Sequence, residues 1–215
     1  MTAAMARLVP HFLTARGTLD AHAPAIHAAI ARLDAGLAID LPPVDIVVRD
    51  DADRTLPGGI GGYCGRPREV WLDIDAARRD LTFHAGGAFD RILVHELHHA
   101  LRWEGPGYGT TLGEALVSEG LAGHFVAETC GTAPEPWETA FDDATLAEAW
   151  AEARAGWSDD GYDHADWFFG AGRRPRWLGY SLGHALVDAY LRAHPGATAA
   201  TLADRPASVF RATVL

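Results

Sequence analysis

The sequence predicts an α+β domain, with a small sheet near the N-terminus and a helical C-terminal lobe. Two observations carry this. Short β-branched or alternating apolar runs lie before residue 75, at 44–49 (VDIVVR) and 69–74 (EVWLDI). From about residue 87 the apolar residues recur at helical spacing instead, over 88–103, 111–129, 143–155 and 178–193. The 215 residues are 48% apolar and 22% charged, a globular balance in a chain long enough to bury a core without staples. We read residues 1–215 as a single domain. About 1–86 would carry a helix and the small sheet, and about 87–215 the helical lobe.

In chain order, the first helix is expected at 24–37, where Ile26, Ile30, Leu33 and Leu37 form one stripe and Pro24 suits the first turn. The strand at 44–49 follows. Residues 57–65 (PGGIGGYCG) are glycine-rich and read as a mobile loop or an irregular hairpin. They hold no GxGxxG that opens a helix, so they give no dinucleotide signal. In the strand 69–74, Val70, Leu72 and Ile74 share one side. The helix 178–193 is expected to bury Leu182, Leu186, Ala189, Tyr190 and Ala193, and Pro195-Gly196 ends it. Trp137, Trp150, Trp157, Trp167 and Trp177 read as packing residues between helices.

Composition removes several functions. There is no Lys, Asn or Gln, so there is no phosphate-loop lysine, Schiff-base lysine or N-glycosylation site. A net charge of −11 argues against nucleic acid and anionic membrane as partners. No run approaches the length of a membrane span. Met1–Leu13 lacks the apolar core of a signal peptide, and a soluble, cytoplasmic protein is expected. Cys64 and Cys130 are far apart with no CxxC, which supports neither a thiolate zinc site nor a redox motif; a disulfide between them stays open.

The chemistry is concentrated in His95-Glu96-Leu97-His98-His99, an H-E-x-x-H with helical flanks. Residues four apart stand one turn apart on one helix face, so His95 and His99 can aim at a single metal ion. Zinc suits two neutral imidazoles, a carboxylate and an open position for water. Glu96 lies beside that face, placed to take a proton from the water. For the third ligand, H-E-x-x-H-x-x-G-x-x-H fails, because position 102 is Arg and position 105 is Gly. Glu119 is the candidate instead. With Leu112, Leu116, Gly123 and Val126 it follows a helical stripe that is otherwise apolar. An unpaired carboxylate there costs several kcal/mol, which a metal or a buried Arg would offset. Glu114 lies on another side of the helix and reads as solvated. His98 reads as flanking the site, and His124 as packing.

At these residues the chain resembles the gluzincin (thermolysin-like) metallopeptidases. It is most similar to an uncharacterised bacterial family described as predicted Zn-dependent proteases. The stretches that carry the resemblance are HELHHALRW at 95–103, GEALVSEGLAGHF at 113–125, WFFG from 167 and RWLGYSLGHALVDAYL ending at 191. It covers roughly residues 40–215. It implies a zincin-like fold, with the sheet packed on the active-site helix, one zinc ion per chain and a peptide or protein substrate. It also implies an edge strand that pairs with substrate backbone, for which Glu69–Ile74 is the candidate. The thermolysin pattern places an acidic residue four positions after the zinc glutamate; here that position is Gly123.

Peptide hydrolysis also needs a donor for the oxyanion. Tyr180, His184 and Asp188 form one polar line on the last long helix. Tyr180 is the first candidate, His184 the second and Arg176 a third. Two other readings remain at this level. Gly179-Tyr180-Ser181-Leu182-Gly183 fits the G-x-S-x-G of serine hydrolases, with Ser181 as nucleophile, but Arg173–Trp177 before it is a poor strand. A metal-binding or interaction domain of the same fold, without turnover, is the other.

Overall fold

The computed structural model describes residues 7–215, so part of the Met1–Leu13 stretch lies outside the described residues. The chain divides into two compact units, Met1–Trp103 and Glu104–Leu215.

The first unit is a four-stranded mixed sheet with two helices. Its elements are β1 (Leu8–Phe12), α1 (Ala23–Gly36), β2 (Val44–Asp50), β3 (Ile60–Arg66), β4 (Glu69–Ile74) and α2 (Ala88–Trp103). Strand order is β1-β2-β4-β3. β1 and β4 flank β2 in parallel, and β3 pairs antiparallel with β4. The register sets Ile46 beside Val70 and Val48 beside Leu72, so the apolar residues of neighbouring strands share a face. Val44, Ile46, Val48, Val70, Leu72 and Ile74 are all fully buried, each contributing roughly 1.5–3 kcal/mol. α1 packs on β1, and α2 packs on β3 and β4. Alternate residues form the polar face, where Arg49 lies over the Trp71 ring and pairs with buried Asp73.

One finding corrects the sequence reading and another decides between its alternatives. β4 is an inner strand, not the edge; the edge beside it is β3. The glycine-rich stretch is therefore ordered, and of its two expected forms the irregular hairpin is the one built, with a register break between Tyr63 and Arg66. Its glycines serve close approach. A Cβ on Gly62 would meet Glu96 Cγ at 2.6 Å and Ile92 Cγ2 at 2.7 Å, so only glycine lets α2 lie this near the strand.

The start of α2 is tied to α1. Asp90, 2% exposed, accepts two hydrogen bonds from Arg32 at 2.7 and 2.9 Å and one from the Gly86 backbone at 3.0 Å. These bonds satisfy the buried carboxylate and hold the first turn of the histidine-bearing helix.

The second unit is helical: α3 (Leu112–Cys130), α4 (Asp143–Ala155), a π-turn at Ala165–Phe169, α5 (Leu178–Ala193) and the short α6 (Ala199–Leu202). α3 is its axis, packed by α4, α5 and α6. It opens with a capping box: Glu114 N donates to Thr111 Oγ1, and Glu114 Oε2 accepts from Thr111 N at 2.9 Å. Glu114 is thus a cap rather than a merely solvated side chain. α3 and α5 cross at Gly120 and Gly183. A Cβ on Gly183 would overlap the Leu116 carbonyl oxygen, and one on Gly120 the Gly183 carbonyl oxygen. The close crossing buries the Ser181–Gly183 side of α5 and leaves Ala193, expected inside, exposed. Trp150, Trp157 and Trp167 are packing residues as expected. Trp150 meets Trp157 edge-on, and Arg174 lies over Trp167.

The glycine crossing makes a stability prediction. Gly183→Ala places a methyl against backbone, which no side-chain rotation relieves, and should cost about 2–3 kcal/mol. Urea unfolding measures it; a loss below about 0.5 kcal/mol would mean the helices do not meet at these glycines.

Candidate metal centre

Helical spacing brings the two motif histidines of α2 together. His95 Nε2 and His99 Nε2 are 3.1 Å apart, with ring centroids 4.8 Å apart and planes at 83°. Two imidazole nitrogens bound tetrahedrally to one zinc ion are separated by about 3.3 Å, from bonds of roughly 2.0–2.1 Å. The observed pair is close to that spacing. His99 is buried and His95 half-exposed. His98 is wholly buried.

Glu96 is 8% exposed, and its side chain lies against Gly62 of β3. The neighbouring Cys64 thiol is pushed up to about 12, first by burial and then by the charge of Glu96. Cys64 therefore stays a neutral thiol. Neither Cys64 nor Cys130 forms a disulfide.

In α3, Glu119 sits among buried residues on every side of the helix and is itself 8% exposed. The Tyr108 hydroxyl donates to Glu119 Oε1 at 2.7 Å. Burial and the Glu119 charge hold the Tyr108 phenol well above its ordinary pKa. Tyr162 and His164 also sense Glu119. Burial raises the Tyr162 phenol to about 12, with help from Glu119. Burial lowers His164, and Glu119 opposes that shift. Tyr162 and His164 are joined by a 3.0 Å hydrogen bond, and His164 stacks on Phe168.

One donor atom from each of His95, His99 and Glu119 lies within 4.8 Å of the other two. Two imidazoles and a carboxylate are the ligand chemistry that zinc takes, so these residues fit the ion. They are the three residues that the sequence singled out as candidate ligands.

The donor candidates fall in different surroundings. Tyr180 meets Phe168 edge-on at 5.0 Å, Phe168 stacks on His164 and His164 neighbours the Tyr108 ring, so Tyr180 belongs to the aromatic group around Glu119. The His184 ring stacks on His124 at 4.1 Å, and the His184 carbonyl accepts from His124 Nε2. Burial, then the neighbouring His124, lowers the His184 imidazole to about 3. Arg176 lies over the Trp177 ring. Ser181 is fully buried inside α5. Its hydroxyl donates to the Trp137 carbonyl at 2.7 Å and accepts from Ala140 N at 3.1 Å. The strand–turn–helix that a nucleophile elbow needs is not formed there, since Ser181 lies within the first turn of α5 and no strand precedes it.

Sequence reasoning missed Tyr108, Tyr162 and His164. The one signal was GPGYG at 105–109, a glycine-flanked aromatic just before the helix of Glu119. Glu138 was also missed. It is buried, and its carboxylate fills the space beside Gly123, where the thermolysin pattern carries its acid.

Compared with known proteins, residues 30–211 match the family described as "Predicted Zn-dependent protease (DUF2268)". The chain is 31% identical over 181 residues to the "Uncharacterized protein YjaZ" of Bacillus subtilis (strain 168), covering 80% of this chain. It spans 66% of that relative's length. No solved structure gives a significant match.

The paired histidines on α3 and α5 generate a pH prediction. Folded His184 and His124 are held neutral, whereas unfolded histidine titrates near about 6.5. The unfolded chain thus takes up protons first as pH falls. This contribution to stability is complete above about pH 6.5 and is lost progressively toward pH 3. His184→Gln should flatten the fall in urea stability between about pH 6.5 and 4. An acid limb identical to that of the parent protein would show that the pair does not carry it.

Proposed function

The chain belongs to this family of predicted Zn-dependent proteases, and we propose that it hydrolyses peptide bonds with zinc held by His95, His99 and Glu119. The observation that carries the reading is the convergence of those three donor groups. A zinc ion held there would polarise a water and the scissile carbonyl.

The protein's own residues supply the rest. Glu96 lies next to His95 on α2, so its carboxylate is beside the ligand face without belonging to the ligand group. It takes a proton from the attacking water and returns it to the leaving amine. Gly62 at its back keeps the carboxylate in place. β3 is the sheet edge nearest Glu96, and an extended peptide pairs with it by backbone hydrogen bonds. Tyr180, grouped with the aromatic residues around Glu119, is the first choice to donate to the oxyanion. His184, engaged with His124, is the second.

Two variants and the parent protein test this. The parent protein should bind one zinc per chain, and His99→Ala should lose stoichiometric metal. Glu96→Gln should retain the metal but lower kcat by about 10²–10⁴-fold on a cleaved peptide. Equal loss of zinc in both variants would remove Glu96 from the role of base. A zinc-loaded parent that cleaves nothing in a broad peptide library would favour a binding domain without turnover.

A separate prediction concerns the strand. Gly62→Ala pushes on Glu96 from β3, so kcat should fall roughly 10–100-fold with zinc content unchanged. Full activity in this variant would show that the contact does not position the base.

A further inference from the structure

We propose that Tyr108 is a positioning residue for the metal centre, orienting the carboxylate of Glu119 from a strap clamped to the start of α3. The inference rests on the zinc reading above.

The contact itself is short and charge-assisted: the phenol donates to Glu119 Oε1 at 2.7 Å. A ligand carboxylate on a single side-chain stem rotates freely unless something holds one oxygen. A bond to Oε1 fixes the plane of the group and so the direction in which its lone pairs point. Partners of this kind typically change metal affinity by about 10–100-fold.

The strap that delivers the phenol is pinned at several points. Ser118, the residue before Glu119, is fully buried, and its hydroxyl donates to the Tyr108 carbonyl at 2.9 Å. The backbone of residue 108 and the side chain of residue 119 are thus referenced to the same turn of α3. Just beyond, the Thr110 and Thr111 N–H groups donate to Glu114 Oε2, each at 2.9 Å. Gly107 and Gly109 flank the tyrosine at φ 76° and 90°, a region open to glycine. A Cβ on Gly109 would also run into the Glu114 side chain. Bends on both sides of one residue, with its carbonyl tied to residue 118, leave the ring little freedom except over Glu119.

The full-length protein provides the test, with zinc and cobalt ions as the probes. Tyr108→Phe removes the hydroxyl and keeps the ring. Zinc affinity, measured by chelator competition, should fall about 10–100-fold, while the metal-free protein stays folded by far-ultraviolet dichroism, with a lower thermal midpoint because Glu119 loses a donor. The visible bands of the cobalt-loaded protein should shift, since they report ligand geometry. In a Glu119→Ala background, Tyr108→Phe should produce no further loss of affinity, because the effect acts through that carboxylate. An equal loss in both backgrounds would make Tyr108 structural and overturn the proposal, as would unchanged affinity and cobalt bands in the single variant. If Tyr108→Phe does not fold, Ser118→Ala serves instead. It loosens the strap while keeping the phenol, and unaltered zinc affinity there would also overturn the idea. A parent protein that binds no zinc would fail at the earlier step, a different outcome from a parent that binds zinc with no dependence on Tyr108.

Discussion

Glu119 is an anionic side chain halfway along α3, a helix buried on nearly all sides from Leu112 to Val126. Left uncompensated, such a charge would cost several kcal/mol, a large part of the stability of an ordinary domain. Much of the second unit near α3 is intelligible as an answer to it. A phenol donates to one oxygen. The capping box and the preceding loop hold that phenol in place. One donor atom from each histidine of the α2 pair lies within 4.8 Å of a Glu119 oxygen, a group that could hold a metal ion. The same charge that burdens the fold is the one the proposed chemistry uses.

The elements that could be read from the sequence were those whose periodicity is long and unmixed. The helix of residues 88–103 and that of 178–193 have in the structure the bounds their apolar spacing predicted. The candidate ligands His95, His99 and Glu119 were legible for a related reason: a polar residue on a helical stripe that is otherwise apolar demands an explanation. β1 was not legible, and β3 was legible only as one of two alternatives, an irregular hairpin or a loop. β1 is five residues long and includes a proline. β3 holds glycines that lower strand propensity, and their purpose is visible only once α2 is seen to press on them. Tyr108 escaped because its importance lies in a bond to a residue eleven positions on, and no periodicity marks such a pair.

The GYSLG segment shows how the same letters serve different physics. Gly179 makes room for the Phe168 ring, Gly183 lets α5 touch α3, and Ser181 closes hydrogen bonds to the backbone at Trp137 and Ala140. Each of the three residues that define the apparent motif has a packing or bonding task within the second unit. β3 makes the complementary point. A stretch that composition marks as loose is held by a helix on one flank and a strand on the other, with the proposed base resting on it.

The placement of the seven tryptophans makes the fold easy to observe. Trp137, Trp150, Trp157, Trp167 and Trp177 all belong to Glu104–Leu215, three of them buried. Trp71 and Trp103 belong to Met1–Trp103. Intrinsic fluorescence is therefore weighted toward the helical unit, while far-ultraviolet dichroism reports the helices and strands of both units. The two signals weight the parts of the chain differently. Coincident melting curves would identify a single cooperative transition, and separated curves would show which unit gives way first.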